Sequence, residues 1–457
     1  MPVRRLWALL VVLAASGCGD AAAPRSLLLI TVDTLRADGL GAYGATGDLT
    51  PRLDALAAEG LVFEAAYAPA PFTFPSIATI LTGRYPSALG IRSNLSQLAA
   101  DVPTLASALS AQGFRTGAVV SSYVLREKSG LARGFDVYDD ALPQVEQTRD
   151  SPERLAPDTT TAALAVLDRL AGRTDPPPSF MLWVHYQDPH GPYTPPAELT
   201  QRARALEPDA GSLPVLDTNH AGPGIPAYQA VGERRAVADY RAAYRGEIAY
   251  MDAQVGRLLD GLAERGLRDD ALIAFTADHG EAMGEHGVWF AHGHDLTDDL
   301  VRVPLLIAGP GVPAGRRGDV VSLVDVVPTL LRRLLVDAPP DLPGRDLLAD
   351  GAETQDSVPL LDTLAYGAMR RTGLIERGYK LILAFADGTW RARLYRRGQE
   401  GTDLAAPAPQ IASSLRDSLA ALQARNERGA RAEAAQDVSD EERAALQALG
   451  YATDGTP

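Results

Sequence analysis

The stretch Leu272–Gly287, LIAFTADHGEAMGEHG, decides the fold. Five apolar residues and a threonine run straight into Asp278-His279-Gly280. Such a run predicts a strand buried on both faces, as in a parallel sheet, that releases a carboxylate and an imidazole at its carboxyl end. In an open α/β sheet that edge is where ligands bind. Two other segments repeat the arrangement. Leu27–Val32 delivers Asp33, and Phe180–Val184 delivers His185, Asp188 and His190. Three apolar strands that release acid or histidine at the same relative point predict a metal-dependent site.

Working outward, alternating strands and helices up to about residue 350 predict one large α/β domain, with a mostly parallel sheet and helices on both faces. Helices are expected at Thr50–Glu59, after Thr73, over Thr104–Gln112 and over Thr159–Leu170. A long stretch at Arg234–Arg265, with a possible break, and Val320–Val336 also read as helical. Thr116–Ser121 and Val303–Ala308 read as further strands, Phe63–Pro71 as a connection, and Ala197–Gly232 as a polar insertion. Beyond about Asp350, Leu364–Met369, Tyr379–Phe385 and Arg391–Tyr395 read as short strands. A helix over Gln410–Arg425 and a helical tail from Asp440 complete a smaller C-terminal α+β subdomain. The domain reading is 1–17 leader, 18–26 tether, 27–350 catalytic domain and 351–457 C-terminal unit.

The leader reading rests on Arg4 and Arg5 followed by the apolar run Leu6–Ala15. That run is too short for a comfortable membrane span. Ala15-Ser16-Gly17-Cys18 resembles a bacterial lipoprotein cleavage box, with Ala where Leu is usual. It predicts cleavage before Cys18, a lipid on its sulfur, and an anchored protein in the periplasm or on the cell surface. Cys18 is the one cysteine of the chain, so neither an intrachain disulfide nor a cysteine nucleophile in the folded part is available. The net charge of -15, which becomes -17 without Arg4 and Arg5, argues against a nucleic-acid partner. It does not exclude an anionic substrate, because a metal and nearby arginines reverse the potential inside a cleft.

Four of the seven histidines, His279, His286, His292 and His294, crowd into sixteen residues around the organising strand end. Thr73 opens a helix with Pro75 in its first turn. Taken alone it reads as a helix cap. The alternative is a nucleophile beside free helix N–H groups, a role for which a threonine needs a metal or base to take its proton.

The segments VDTLRAD (32–38), APFTFPSIATILTGRYP (70–86), HYQDPHGPY (185–193), ADHGEAMGEHG (277–287) and HGHDLTDDLVRVPLL (292–306) resemble, in order, the sulfatase family of the alkaline-phosphatase superfamily. The later fragments YKLI (379–382) and ALGY (448–451) resemble that family's tail. The resemblance implies an alkaline-phosphatase-like fold and one divalent metal bound by Asp33, Asp278, His279 and the nucleophile, which falls at Thr73. It implies substrate-contacting or proton-donating roles for His190 and His292. Substrate binding by Asn94, and loop ordering or charge recognition by Arg36, follow by position.

Two departures modify this. Sulfatases carry Cys-x-Pro-x-Arg, whose cysteine becomes formylglycine, whereas this chain has Thr73-Phe74-Pro75-Ser76-Ile77. No formylglycine is expected, and a threonine ester lacks the collapse to an aldehyde that expels sulfate. Phosphoesters are therefore favoured over sulfate esters. Thr34 stands where many sulfatases have a second aspartate, which points to a single metal site and away from calcium. The His279 nitrogen fits manganese or zinc better than an oxygen cage would, with calcium and magnesium left open. His185 reads as packing beside its strand end, and His286 as a residue behind the ligands. Rival readings are a sulfuric ester hydrolase, a transferase of phosphoryl head groups, and a non-catalytic glycan- or lipid-binding lipoprotein.

Overall fold

The computed structural model describes residues 23–145, 152–354, 356–363, 370–428 and 430–432, with 434 and 439. The leader, the cleavage box with Cys18, the strand expected at Leu364–Met369 and the tail from Asp440 lie outside these residues. Among the described residues no helix is long and apolar enough to cross a membrane.

Eight strands form the main sheet: β1 (Ser26–Val32), β2 (Leu61–Tyr67), β3 (Arg115–Val120), β4 (Val137–Asp139), β5 (Phe180–Tyr186), β6 (Ala271–Ala277), β7 (Arg302–Ala308) and β8 (Gly315–Ser322). Their spatial order is β8-β2-β7-β6-β1-β5-β3-β4. Only β7 runs against its neighbours; every other pairing is parallel. At the centre, β6, β1 and β5 are buried along their whole length. Each core leucine, isoleucine or phenylalanine there contributes about 1.5–3 kcal/mol by leaving water. Register does the rest. Val32 pairs with Ala277 on one side and Tyr186 on the other, and Thr31 pairs with His185. Asp33 and Asp278 therefore leave the sheet at one level, with His185 one step behind them.

Among the described residues the α-helices of seven residues or more are α1 (Pro51–Glu59), α2 (Thr73–Thr82), α3 (Leu105–Ala111), α4 (Ala156–Ala171), α5 (Ala197–Arg204), α6 (Val237–Glu264), α7 (Val326–Arg333) and α8 (Pro409–Glu427). Helix α6 runs unbroken for 28 residues. Two expectations are corrected. The segment read as the connection Phe63–Pro71 begins inside β2, where Glu64 interrupts an otherwise apolar run. The segment read as a helix from Val320 begins as β8, and regular helix starts only at Val326. In the polar insertion Ala197–Arg204 is helical as α5.

The C-terminal unit is an antiparallel sheet of β9 (Leu360–Asp362), β10 (Arg370–Glu376), β11 (Tyr379–Ala386) and β12 (Thr389–Arg396). Leu374, Leu381 and Leu394 pack with Leu415, Leu419 and Leu422 of α8.

Candidate active site

Asp33 and Asp278 follow β1 and β6 directly and are fully buried, as are His279, His185 and Thr73. His279 Nε2 lies 3.8 Å from Asp33 Oδ1 and 3.8 Å from Asp278 Oδ2. His185 Nε2 lies 3.7 Å from Asp33 Oδ2, and Thr73 Oγ1 donates to that same oxygen at 3.5 Å. Ligand atoms of Asp33, His185 and Asp278 all fall within 4.8 Å of one another. Among the described residues, Asp33 Oδ1, Asp278 Oδ2, His279 Nε2 and His185 Nε2 have no hydrogen-bond partner. Buried polar atoms are rarely left so.

Their environment asks for a cation. Burial pushes the Asp278 carboxyl up to about 8, with the Asp33 charge adding to it. Burial, then Glu281, holds Asp33 well above the usual carboxylate range. Burial drives His279 down to about 4, so its imidazole is neutral. Two acids and a neutral imidazole, with free atoms converging, fit a divalent ion. Donors about 2.1 Å from one ion stand at most about 4.2 Å apart. The remaining atoms of these residues are held in place. His279 Nδ1 is 2.9 Å from Gly280 O, and Asp278 Oδ1 accepts the N–H groups of His279 and Thr34 at 2.7 and 3.1 Å. Thr34 has φ 54°, an unfavourable conformation for a β-branched residue, so the loop is strained beside the acids. At Gly280 a Cβ would meet Asp299 O at 2.1 Å, so only glycine lets the chain turn away.

Thr73 is the first residue of α2, and Phe72 occupies the cap position without a side-chain cap bond. The threonine hydroxyl thus faces Asp33 instead of capping its own helix. The expected oxyanion pocket of helix N–H groups is thinner than the sequence suggests. Phe74 N–H donates to Asn94 Oδ1 at 2.9 Å, and Pro75 has no N–H. Asn94 thus caps α2 from outside. Ser76 Oγ donates to Asp278 O at 2.7 Å and pins the helix to the end of β6.

The histidine wall adjoins these acids. The His292 ring centre is 4.6 Å from His279 and 5.3 Å from His190. His190 Nδ1 is 2.8 Å from Gly191 O. His292 Nδ1 stands 3.2 Å from Glu281 Oε1, and Tyr193 Oη donates to Glu281 Oε2 at 3.0 Å. Burial pushes Glu281 up to about 8 and His292 down to about 4. Glu281 had no role in the sequence reading, although it closes the Asp-His-Gly-Glu run at 278–281. A carboxylate three positions beyond a strand-end acid was the available signal.

Arg36 is used up by the protein. Its guanidinium binds Asp38 at 2.7–2.8 Å, Glu285 Oε1 at 2.9 Å and Glu281 O at 3.0 Å. These contacts tie the loop after β1 to the segment after β6. His286 stands apart, 3.9 Å from Glu400 Oε2.

Comparison with known proteins agrees with this architecture. The family model described as Sulfatase matches residues 25–335. An arylsulfatase of Clostridium perfringens is 29% identical over 377 residues, covering 70% of this chain and 77% of that protein. A structure solved in complex with its substrate D-glucosamine-2-N,6-O-disulfate superposes with a TM-score of 0.71 at 20% identity, covering 89% and 99% of the two chains. A phosphonate monoester hydrolase of Silicibacter pomeroyi superposes with a TM-score of 0.70 at 24% identity, covering 89% and 96%. The two structures show the shared fold. With two thirds of its length matched and Asp33, Asp278, His279 and Thr73 gathered at one sheet edge, the chain belongs to the sulfatase family of metal-dependent ester hydrolases.

Proposed function

We propose that this protein hydrolyses phosphoesters, either phosphodiesters or phosphonate or phosphate monoesters, in preference to sulfate esters, with Thr73 as nucleophile. The observation that carries the reading is the Thr73 hydroxyl, buried at the start of α2 and turned onto Asp33 at 3.5 Å, in a chain whose single cysteine is Cys18. The phosphonate monoester hydrolase among the structural neighbours supports it.

Asp33, Asp278 and His279 would hold a divalent ion beside Thr73. When bound, such an ion supplies Lewis-acid activation of a hydroxyl and of the ester oxygens. Thr73 Oγ1 attacks the phosphorus in line, its proton passing to Asp33 Oδ2, as the P–O bond to the alcohol breaks on the opposite side. His190 and His292 line the adjoining wall for the ester oxygens. The His292–Glu281 pair, steadied by Tyr193, holds a proton next to that wall and delivers it to the departing alkoxide. Water attacks the phosphorus of the threonine ester and gives a proton to the His292–Glu281 pair, while the P–O bond to Thr73 breaks and Oγ1 regains its proton from Asp33. The same reading puts the protein outside the cytoplasm, tethered through Cys18. Its support is the run of residues 4–18.

The test is turnover of a phosphodiester, a phosphomonoester, a phosphonate monoester and a sulfate ester of one aryl alcohol, with manganese, zinc, calcium or magnesium supplied in turn. Phosphoester turnover that Thr73→Ala abolishes is the expected result. Dominant sulfate turnover, lost in the same variant, would overturn the substrate preference. Transfer of the phosphoryl group to an added alcohol in place of water would convert the reading to a transferase.

A further inference from the structure

Strand β5 places a second imidazole at the acids. His185 is the penultimate residue of β5, in register with Thr31 of β1, and its side chain is fully buried. Its Nε2 has no hydrogen-bond partner among the described residues and lies 3.7 Å from Asp33 Oδ2. The ring is oriented from behind. His185 Nδ1 is 2.9 Å from Thr31 Oγ1, and that oxygen accepts the indole N–H of Trp183 at 2.9 Å. An indole nitrogen only donates, so one lone pair of Thr31 is already used.

Both tautomers of His185 then leave Nε2 in difficulty. If Thr31 donates to Nδ1, an Nε2–H points at Asp33 across 3.7 Å, too far for a hydrogen bond. If Nδ1–H donates to the second lone pair of Thr31, Nε2 presents a bare lone pair in a dry interior. A buried polar atom without a partner costs stability. A cation between His185, Asp33 and Asp278 satisfies the second tautomer. The Trp183–Thr31–His185 chain is then the outer shell that metal-bound histidines commonly have.

We infer that His185 is a further protein ligand of the metal, giving a site of two carboxylates and two imidazoles that retains a transition-metal ion such as zinc or manganese and not calcium. Thr34 brings no carboxylate, so the donor set is neutralised by one divalent ion. Mixed nitrogen and oxygen donors suit zinc and manganese, while calcium seeks six to eight oxygens. The inference rests on the metal-dependent reading and adds its ligand and ion preference.

The experiment uses the full-length chain, stripped with a chelator and dialysed against equal zinc, manganese, calcium and magnesium, with bound metal counted. Cobalt is then titrated in as a spectroscopic substitute. One zinc or manganese per chain is expected. Thr31→Val should weaken cobalt binding by about 10–100-fold, and His185→Asn by at least as much, with altered cobalt absorption bands. Circular dichroism checks that each variant is folded. His185→Cys should add a thiolate-to-cobalt charge-transfer band that the wild type, with Cys18 alone, does not show. Calcium as the retained ion would overturn the inference. So would an unchanged affinity and spectrum in His185→Asn, or bound cobalt without a thiolate band in His185→Cys. If Asp278→Asn loses the metal while His185→Asn keeps it, the inference alone fails. A wild type that binds no metal defeats it together with the reading beneath it.

Discussion

The carboxyl ends of β1, β5 and β6 and the seam between the main domain and the C-terminal sheet both gather acids near histidine, buried at the first and half-buried at the second, and they handle the charge differently. At the seam Asp298 and Glu400 meet Lys380 of β11, with Asp299 and His286 beside Glu400. Lys380 Nζ lies 2.6 Å from Asp298 Oδ1 and 2.7 Å from Glu400 Oε1, and the residue is only 1% exposed. Glu400 Oε2 also accepts the Asp298 N–H at 2.8 Å. The nearby Glu285 has Arg36. The sheet-edge group of Asp33, Asp278, His279 and His185 has no lysine or arginine hydrogen-bonded to it among the described residues, and each of its members keeps a buried atom without a partner. The seam carries its own cation as part of the chain and is a joint. The sheet edge has no such residue hydrogen-bonded to it among those described, and the proposed reading puts a bound ion there.

The largest effect that would break this contrast is in turnover. Thr73→Ala removes the one hydroxyl turned onto the uncompensated acids, and kcat should fall on the order of 10³-fold or more, as when a nucleophile is removed. The fold should survive, because Thr73 makes no cap bond. Steady-state kinetics with circular dichroism as a control checks both. Retained turnover would mean the sheet edge is not where the chemistry happens.

At the seam the corresponding change acts on stability. Lys380→Met leaves the half-buried Asp298 and Glu400 facing each other, and removing the buried partner this way costs up to roughly 3 kcal/mol, below the figure for a fully buried pair. Urea denaturation should show that loss while the folded variant keeps its turnover. A loss below about 1 kcal/mol would mean that water, not Lys380, neutralises the seam, and the contrast would fail there.

Chelation separates the two regions in one measurement. An ion at 100 times its Kd stabilises the folded state by about 2.7 kcal/mol. Thermal melts of the wild type with and without chelator should therefore differ by several degrees. Asp278→Asn should erase that difference and Lys380→Met should preserve it. A chelator effect that disappears in Lys380→Met would place the ion at the seam.

The sheet edge was largely legible in the sequence, because each of its strands is an apolar run that stops at an acid or histidine. His185 reads from the sequence as packing beside its strand end, and the sequence could not show which neighbour it faces. It lies inside its strand, where a run buried on both faces carries no alternation to say which way a side chain points. Only the pairing of Thr31 with His185 fixes it beside Asp33. Glu281 escaped because its partners Tyr193 and His292 are 88 and 11 residues away. Strand β2 escaped because Glu64, half-buried near the sheet's edge, breaks the apolar pattern. The seam could not be read at all. Lys380, Asp298 and Glu400 look like three ordinary surface charges until the C-terminal sheet brings them together.

The smallest effect tests whether the seam is fully balanced. Lys380 contacts Asp298 and Glu400, which leaves Asp299 as the surplus acid, with Oδ2 buried and without a hydrogen-bond partner among the described residues. Burial, then Glu285 and Glu400, pushes Asp299 up to about 7. Its folded-state value is raised above the unfolded one near 4. The folded protein therefore holds this proton more tightly, and the associated stability is fully present below about pH 4 and is lost as pH rises through about 7. Between pH 5 and pH 8 the wild type should lose on the order of 1–2 kcal/mol from this group. Asp299→Asn should remove that part of the slope, because an amide cannot ionise. Urea unfolding of both proteins at several pH values reads the difference directly. Parallel slopes would show that Asp299 ionises at its ordinary value, neutralised by cations already at the seam, and the joint would then be more completely balanced than its hydrogen bonds suggest.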